Sequence, residues 1–286
     1  MLCNFYYRNI YLIKNKIMKY ILLDTETTWL PTEKINWKTT NTNNRVIQLW
    51  YIILEENKKV EIIEEFASLP EWVKINTHAM SIHNITPEKI QNKPLLTETP
   101  WYKKLESLNN KKNILVIHNA EFDLEMLRRD WFENQMMLID TLKVAKHLYP
   151  NSESHSLQYL RYYLNLYKTE EAESQKLWVK LLAHNTLWDI LFMKMLLSKM
   201  TIDIKERFNL NSASESIKKM IDLTSEPVFT KFLKFWKYKW ELLKEVFSKD
   251  RGYTDWLLNN TEDKDLIYSI ELLKKDNEIK FNNKIF

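Results

Sequence analysis

Two acidic side chains near the start of the chain lie where they could bind a cation. Asp24 ends the apolar run KYILLD, which is typical of a buried central strand, and Glu26 follows two residues later. Because side chains alternate between the two faces of a strand, both carboxylates should point the same way and repel each other unless a positive charge lies between them. The ordinary alternative for such a pair is a solvent-exposed strand end.

Two further acidic residues and a histidine could complete the same site. Asp123 follows a second apolar run and should lie in the first turn of a helix, while Asp189 lies in a predicted helix five residues after His184. Carboxylate oxygens are the ligands that Mg²⁺ and Mn²⁺ prefer. Two such ions about 4 Å apart can activate a water and stabilise the leaving oxygen in phosphodiester cleavage. A histidine is suited to removing the proton from that water.

Three short segments give the chain a family resemblance. DTETT at 24–28, HNAEFD at 118–123 and HNTLWD at 184–189 resemble the three exonuclease motifs of the DEDD superfamily of 3′–5′ exonucleases. The spacing is similar to that of the histidine branch (DEDDh), because the tyrosine branch carries tyrosine where this chain has Asn185. The resemblance implies a ribonuclease H-like fold. It also implies that two Mg²⁺ or Mn²⁺ ions are bound by Asp24, Glu26, Asp123 and Asp189, with His184 as the general base.

A fourth segment resembles the part of these enzymes that lines the pocket for the 3′-terminal nucleotide. THAMSIHNIT at 77–86 is similar to this part of the polymerase III epsilon proofreading subunits and of exonuclease X relatives. Apolar side chains there can stack on terminal bases or separate them. The alternative is an ordinary helix end that packs on the sheet. The resemblance implies contacts to the terminal nucleotide from the Thr25 backbone, Ala79, Ile82, His83 and Asn119.

The pattern of apolar runs predicts the elements that position these residues. A strand and a hairpin followed by alternating helices and strands predict an α/β fold, with a mixed five-stranded sheet flanked by helices. The expected strands lie at 19–24, 45–54, 60–66, 113–118 and 136–139, and the expected helices at 120–130, 141–148, 156–164 and 173–200.

The chain is expected to comprise four segments. Residues 1–17 form an extension that is dispensable or lies upstream of the true start, since Met18 opens the first convincing strand. Residues 18–200 form the exonuclease domain, and the polar, serine-rich 201–227 forms a linker or bridging segment. Residues 228–286 form a small α+β domain that resembles the C-terminal domain of exonuclease X relatives.

The composition excludes several classes of protein. The single cysteine, Cys3, cannot form an internal disulfide or a cysteine-rich zinc site, which favours a reducing, cytoplasmic location. No apolar run approaches the roughly 18 residues of a spanning helix, so no membrane association is expected. Residues 1–17 also lack the cleavage site of a signal peptide. The net charge of +4 fits weak binding to nucleic acid without sequence specificity.

The small C-terminal domain interleaves lysines with aromatic residues, which could supply charge for a nucleic-acid backbone and faces for its bases. An equally weighted alternative is a two-stranded ribbon whose aromatic side chains form its core and whose lysines are solvated. The residues concerned are Lys231, Lys234, Lys237 and Lys239 with Phe232, Phe235 and Tyr238.

The leading hypothesis is a metal-dependent 3′–5′ exodeoxyribonuclease. It would release nucleoside monophosphates from single-stranded or frayed DNA 3′ ends in repair or proofreading, with a replicative polymerase as a candidate partner. An exoribonuclease of the same superfamily is the alternative enzyme, because the motifs do not report tolerance of the 2′-hydroxyl. A catalytically inactive nucleic-acid-binding or polymerase-associated module is the alternative of another class.

Glycine and tryptophan occur at unusual frequencies. The chain has 1 glycine and 11 tryptophans, whereas average usage would give about 20 glycines at this length. We hypothesise that the gene comes from a bacterium that decodes UGA as glycine. A glycine-poor genome with genuine tryptophans is the alternative. Tryptophan stands where relatives usually carry glycine at Trp29, Trp50, Trp188, Trp236 and Trp240, and where a helix C-cap glycine is natural at Trp131, whereas Trp256 matches a tryptophan of the relatives.

Overall fold

The computed structural model describes residues 12–13, 16–29, 44–177, 186–233 and 236–282. The chain divides into two compact units. Unit 1 comprises Met1–Ala145 and Ser152–Thr224, and unit 2 comprises Lys146–Asn151 and Ser225–Phe286. Within the expected extension, two short strands pair antiparallel, namely β1 (Leu12–Ile13) and β2 (Lys16–Ile17).

A mixed five-stranded sheet forms the centre of unit 1, as the sequence predicts. Its strands, in spatial order, are β5 (Glu61–Phe66), β4 (Val46–Glu55), β3 (Lys19–Thr27), β6 (Ile114–Ile117) and β7 (Met137–Asp140). The pairs β3–β4 and β4–β5 are antiparallel, whereas β3–β6 and β6–β7 are parallel. All residues of β4 and β6 are buried, which explains their largely apolar sequences. The central strand β3 is longer than predicted and contains Glu26.

Helices surround this sheet. Three helices connect β5 to β6, and the first of them lies in the segment 77–86, for which a helix end was the alternative. The remaining helices follow β6 along the chain. Those of unit 1 and its boundary are α1 (Thr77–His83), α2 (Pro87–Ile90), α3 (Pro100–Leu108), α4 (Ala120–Arg129), α5 (Thr141–Leu148), α6 (Leu157–Tyr163), α7 (Glu170–Leu177), α8 (Thr186–Arg207) and α9 (Ala213–Ser225).

Two further segments are largely helical in their described residues. The single helix expected over 173–200 corresponds to α7 and α8, with residues 178–185 outside the described part of the chain. Residues 201–227, predicted as a linker or bridging segment, are mostly helical and comprise the end of α8 and α9. Ile217 and Met220, three residues apart on α9, are both completely buried. This apolar helical spacing gives the segment a core-facing surface despite its polar composition.

Unit 2 has its own apolar core. Its helices are α10 (Leu243–Lys249), α11 (Arg251–Asn260) and α12 (Lys264–Asn282). In the described residues, the β component of the expected α+β domain is a single antiparallel bridge between Phe232 and Leu242. A 3₁₀ turn at Trp236–Tyr238 lies between the two bridge residues. The buried core side chains are Leu233, Leu243, Val246, Phe247, Leu257, Leu266, Ile270 and Leu273.

The aromatic and basic side chains of unit 2 divide between the two roles considered for them. Tyr238 packs against the core, whereas Phe232 is exposed. Lys237 lies 4.7 Å from the centre of the Tyr238 ring and pairs with Asp250 at 3.1 Å. Lys234 and Phe235 lie outside the described residues. In the part of the chain that the structure describes, no helix is long and apolar enough to cross a membrane.

Candidate active site

The end of β3 carries the first two predicted ligands, Asp24 and Glu26. They pair in register with Trp50 and Gln48 of β4, and the register shifts immediately after Glu26. On the other side, the parallel pairing with β6 stops at Leu22. The end of β3 is therefore open on the side where the chain leaves β6 and enters α4. The carboxyl ends of parallel strands are the usual place for a site in an α/β sheet.

Asp123 reaches this open end from the first turn of α4. Its Oδ1 accepts hydrogen bonds from the Thr25 backbone N–H, at 3.1 Å, and from Thr25 Oγ1, at 2.7 Å. The side chain is buried, with 4% of the residue's surface exposed. Burial raises the pKa of Asp123 to about 7, the bonds from Thr25 oppose that rise, and the charge of Glu26 adds to it. Thr25 therefore holds Asp123 through both its backbone and its hydroxyl.

Asp189 lies in the first turn of α8, and its Oδ1 accepts a hydrogen bond of 3.0 Å from Gln158 Nε2 on α6. Burial raises the pKa of Asp189, and this bond opposes the rise. The pKa of Asp24 is raised well above its ordinary value by burial, and then by the charges of Asp123, Asp189 and Glu26. The other three predicted ligands therefore lie close enough to Asp24 to raise its pKa, so carboxylates from three separate motifs lie near one another.

The chemistry of this donor set fits a hard divalent cation. Among the described residues, no three histidine, cysteine, aspartate or glutamate side chains are arranged as a formed metal-binding group. In this arrangement, Oδ1 of Asp123 faces Thr25 and Oδ1 of Asp189 faces Gln158. A divalent cation would relieve the repulsion among the carboxylates. His184, the predicted general base, lies outside the described residues.

The residues expected to contact a terminal nucleotide have different environments. Helix α1 is tied to the end of β3 by a hydrogen bond of 2.9 Å from the Asn76 backbone N–H to the Thr28 carbonyl. Ala79 is completely buried and packs in a core cluster with Ile47, which agrees with the alternative that this helix packs on the sheet. Ile82, by contrast, is 57% exposed. On this helix, therefore, the Ile82 side chain is accessible to a ligand, whereas Ala79 packs the helix against the sheet.

Hydrogen bonds with other residues fix the His83 ring and the Asn119 backbone in place. His83 Nδ1 accepts a hydrogen bond of 2.9 Å from the Ile85 backbone N–H, so its proton lies on Nε2 when the ring is neutral. That Nε2 is buried; burial lowers the pKa of His83, and a backbone hydrogen bond to Thr27 opposes the fall. Asn119 precedes α4 with a left-handed backbone at φ 72°. Its backbone N–H donates to Asp140 Oδ1 at 3.1 Å.

Sequence reasoning missed two polar residues that support the carboxylates. Asp140 ends β7, is buried, and accepts hydrogen bonds from the start of α4 and the start of α5. An aspartate that closes an apolar strand and precedes a helix is a recognisable capping signal, so this residue could have been identified. Gln158 lies on the exposed surface of α6 and bonds Asp189 across 31 positions of sequence. No local pattern marks it.

Comparison with known proteins identifies relatives of this chain. The RNase_T family model, described as exonuclease, matches residues 21–191. Exodeoxyribonuclease 10 of Escherichia coli (strain K12) is 29% identical over 192 residues, which are 66% of this chain and 73% of that protein. The DNA polymerase III subunit epsilon of Buchnera aphidicola subsp. Acyrthosiphon pisum (strain APS) is 30% identical over 151 residues, 47% of this chain and 56% of that protein.

Among solved structures, one similar to this chain is that of exonuclease X in complex with 5′ overhanging duplex DNA. The TM-score is 0.47 and the identity 22%, over 72% of this chain and 99% of that chain.

The family match covers more than half of the chain and contains all four converging carboxylates. It confirms the prediction of an exonuclease, a hydrolase of phosphodiester bonds with a ribonuclease H-like fold. Exonucleases of this family generally use divalent metal ions. Assignment to the histidine branch stays a prediction, since it depends on His184. From the sheet, the carboxylates at its open end and this match, we conclude that the chain belongs to the RNase_T exonuclease family.

Proposed function

We propose that the protein is a metal-dependent 3′–5′ exodeoxyribonuclease that releases nucleoside monophosphates from DNA ends in repair or proofreading. The observation that carries the proposal is that Thr25, between Asp24 and Glu26, binds Asp123 Oδ1 at 2.7 Å, while the charges of Asp123 and Asp189 raise the pKa of Asp24. A pair of Mg²⁺ or Mn²⁺ ions held by these carboxylates and Glu26 would supply charge stabilisation and an activated water.

The protein's own groups have separate tasks in this proposal. Thr25 fixes Asp123, and Gln158 fixes Asp189, so the carboxylates keep their positions relative to the scissile phosphate. His184 takes the proton from the attacking water. The exposed Ile82 and the partly exposed ring of His83 meet the terminal nucleotide, both by contact with its base.

The basic test uses a single-stranded DNA labelled at its 5′ end, with Mg²⁺ or Mn²⁺ and with chelator as the control. We expect progressive shortening from the 3′ end. Asp24→Ala should abolish cleavage and retain DNA binding, because it removes a ligand and a repelling charge while leaving the fold of the sheet. His184→Ala should lower turnover by about 10² to 10⁴ if the residue is the base. Equal activity of Asp24→Ala and wild type would contradict the assignment of this carboxylate.

Two outcomes of the same assay favour other functions. An intact 3′ end on a bound oligonucleotide would favour the inactive binding module. Faster digestion of a matched RNA would favour the exoribonuclease. The preference for DNA rests on the likeness to proteins named exodeoxyribonuclease and DNA polymerase subunit. A replicative polymerase is proposed as a partner because one of these similar proteins is named as a DNA polymerase subunit. Co-purification from the native organism tests this proposal.

A further inference from the structure

We propose that Asp140 is a positioning residue for the active site, an inference that rests on the proposed function. Helix α4 carries Asp123, and its N-cap residue Asn119 makes no side-chain capping bond. The first backbone N–H groups of a helix have no partner within the helix. Asp140, at the end of β7, is the partner of two backbone N–H groups there. Its Oδ1 accepts from the Asn119 N–H and its Oδ2 from the Ala120 N–H, both at 3.1 Å.

The Asp140 carboxylate also binds the backbone of the helix that directly follows it, α5. Its Oδ1 also accepts from the backbone N–H groups of Leu142, at 2.9 Å, and Lys143, at 3.3 Å, at the start of α5. The Asp140 N–H donates to Thr224 Oγ1 at 3.0 Å. Asp140 therefore joins the end of β7 and the start of α5 to the first turn of α4. Moving that turn would displace the left-handed Asn119 and, three residues after Ala120, the metal-ligand candidate Asp123.

The test compares Asp140→Asn and Asp140→Ala with a matched control, Asn113→Ala. Asn113 is also buried and holds backbone groups, accepting from the Lys19 N–H at 3.3 Å and donating to the Leu108 carbonyl at 2.7 Å. It lies at the opposite end of β6 from the carboxylates. Asparagine at 140 keeps one oxygen but cannot accept at both positions, so it should destabilise the fold less than alanine does.

The readouts are the melting temperature, the Kd for Mn²⁺ measured without substrate, and kcat and KM. We expect all three variants to melt lower than wild type. The Asp140 variants should bind Mn²⁺ about 10- to 100-fold more weakly, with lower kcat, as loss of a residue that orients metal ligands typically does. Asn113→Ala should bind Mn²⁺ as wild type does. Wild-type affinity and kcat in Asp140→Asn would overturn the positioning role alone, whereas failure of the wild type to bind Mn²⁺ would overturn the proposed function as well.

A second inference comes from the backbone, independently of the site. Seven described residues other than glycine have positive φ. Five are asparagines, which tolerate the left-handed region, and the other two are Trp131 at φ 68° and Trp240 at φ 70°. A bulky residue in this region is a genuine outlier. The single glycine, Gly252, does not have a positive φ and lies inside α11.

Trp131 occupies the position at a helix end where glycine is preferred. Its N–H donates to the Arg128 carbonyl at 3.1 Å, and the Phe132 N–H donates to the Leu127 carbonyl at 3.0 Å. With Asp130 as the C-cap, these two bonds form a Schellman motif whose left-handed residue is position 131. The Trp131 residue is 85% exposed, so the ring gains little packing in return for the strain. Trp240 is likewise 61% exposed.

Other tryptophans also divide into those whose surroundings suit an indole and those whose surroundings do not. The indole Nε1 atoms of Trp29 and Trp50 are buried without hydrogen-bond partners, although buried indoles usually find one. Trp256, which matches a tryptophan of the relatives, lies within α11 without positive φ and stacks on Tyr253 with ring centres 5.9 Å apart. The geometry thus fits tryptophan at 256 and glycine at 131 and 240.

We infer that the residues written as tryptophan at 131 and 240 are glycine in the protein made by its own organism. One reassigned codon, UGA read as glycine, would account for these backbone positions and for the shortage of glycine together. Peptides that span the two positions, analysed by mass spectrometry on protein from the native organism, should contain glycine. Tryptophan at either position would overturn the inference there.

The chain as written provides a second measurement. Trp131→Gly and Trp240→Gly should each raise the melting temperature of the unit concerned, by about 2 to 4 °C at position 131. Trp256→Gly is the matched control, since it removes an exposed tryptophan from helical backbone, and should lower it. Lower melting temperatures for Trp131→Gly and Trp240→Gly would overturn the inference.

Discussion

Replacing Asp123 by asparagine should stabilise the metal-free protein at alkaline pH. Burial raises the pKa of this carboxyl to about 7 in the folded state, whereas an aspartate in an unfolded chain titrates near 3.9. The folded state therefore binds more protons between these two values, and folding stability falls as pH rises from about 4 to 7. Above that range, the folded protein carries the whole cost of a buried carboxylate.

The magnitude follows from the two pKa values. Their separation of about three pH units corresponds to roughly 4 kcal/mol at 1.36 kcal/mol per unit. Asparagine keeps an Oδ1 that accepts from the Thr25 N–H and hydroxyl, so the bonds at 3.1 and 2.7 Å can persist. Its buried NH₂ group offsets part of the gain, by about 1 to 2 kcal/mol. We expect the free energy of unfolding of Asp123→Asn to exceed that of wild type by about 2 to 3 kcal/mol at pH 8, and to lie about 1 to 2 kcal/mol below it near pH 4, where only the cost of the NH₂ group remains.

The assay is urea unfolding from pH 4 to 8.5 in the presence of chelator, reported as the difference in free energy of unfolding between variant and wild type. Glu121→Gln is the control, since it removes an exposed charge from the same turn of α4 and should give a difference independent of pH. Added Mn²⁺ should stabilise wild type more than Asp123→Asn. A variant less stable than wild type at pH 8, or a difference that does not change with pH, would refute this account.

Three further perturbations probe the surroundings of the carboxylates. Thr25→Val removes the hydroxyl bond to Asp123 and should weaken Mn²⁺ binding several-fold in titrations, whereas Thr25→Ser should not. Gln158→Leu removes the bond that lowers the pKa of Asp189, so the acid limb of the pH–rate profile should move to higher pH. Burial lowers the pKa of His118 to about 4. Because the unfolded chain binds this proton near pH 6.5 and the folded protein only near pH 4, the free energy of unfolding falls as the pH is lowered between these values. In urea unfolding, His118→Gln should make this fall smaller by up to about 3 kcal/mol.

The sheet and its carboxylates could be predicted from the sequence because their signals are local. A buried strand needs a continuous apolar run, and the runs that become β3, β4 and β6 each have one. Alternation along β3 placed Asp24 and Glu26 together without knowledge of any other element. The place of Trp131 directly after a predicted helix likewise indicates a glycine position without reference to its φ.

Other features depend on contacts between distant parts of the chain, which no local pattern encodes. Thr25 meets Asp123 across 98 positions, and Gln158 meets Asp189 across 31. The burial of α9, predicted as a linker, required a surface on which its apolar face could pack. Residue types and spacing thus determined which groups are available for phosphodiester chemistry. Only the tertiary structure decided which of them converge, which hold the others in place, and how burial and repulsion change their protonation.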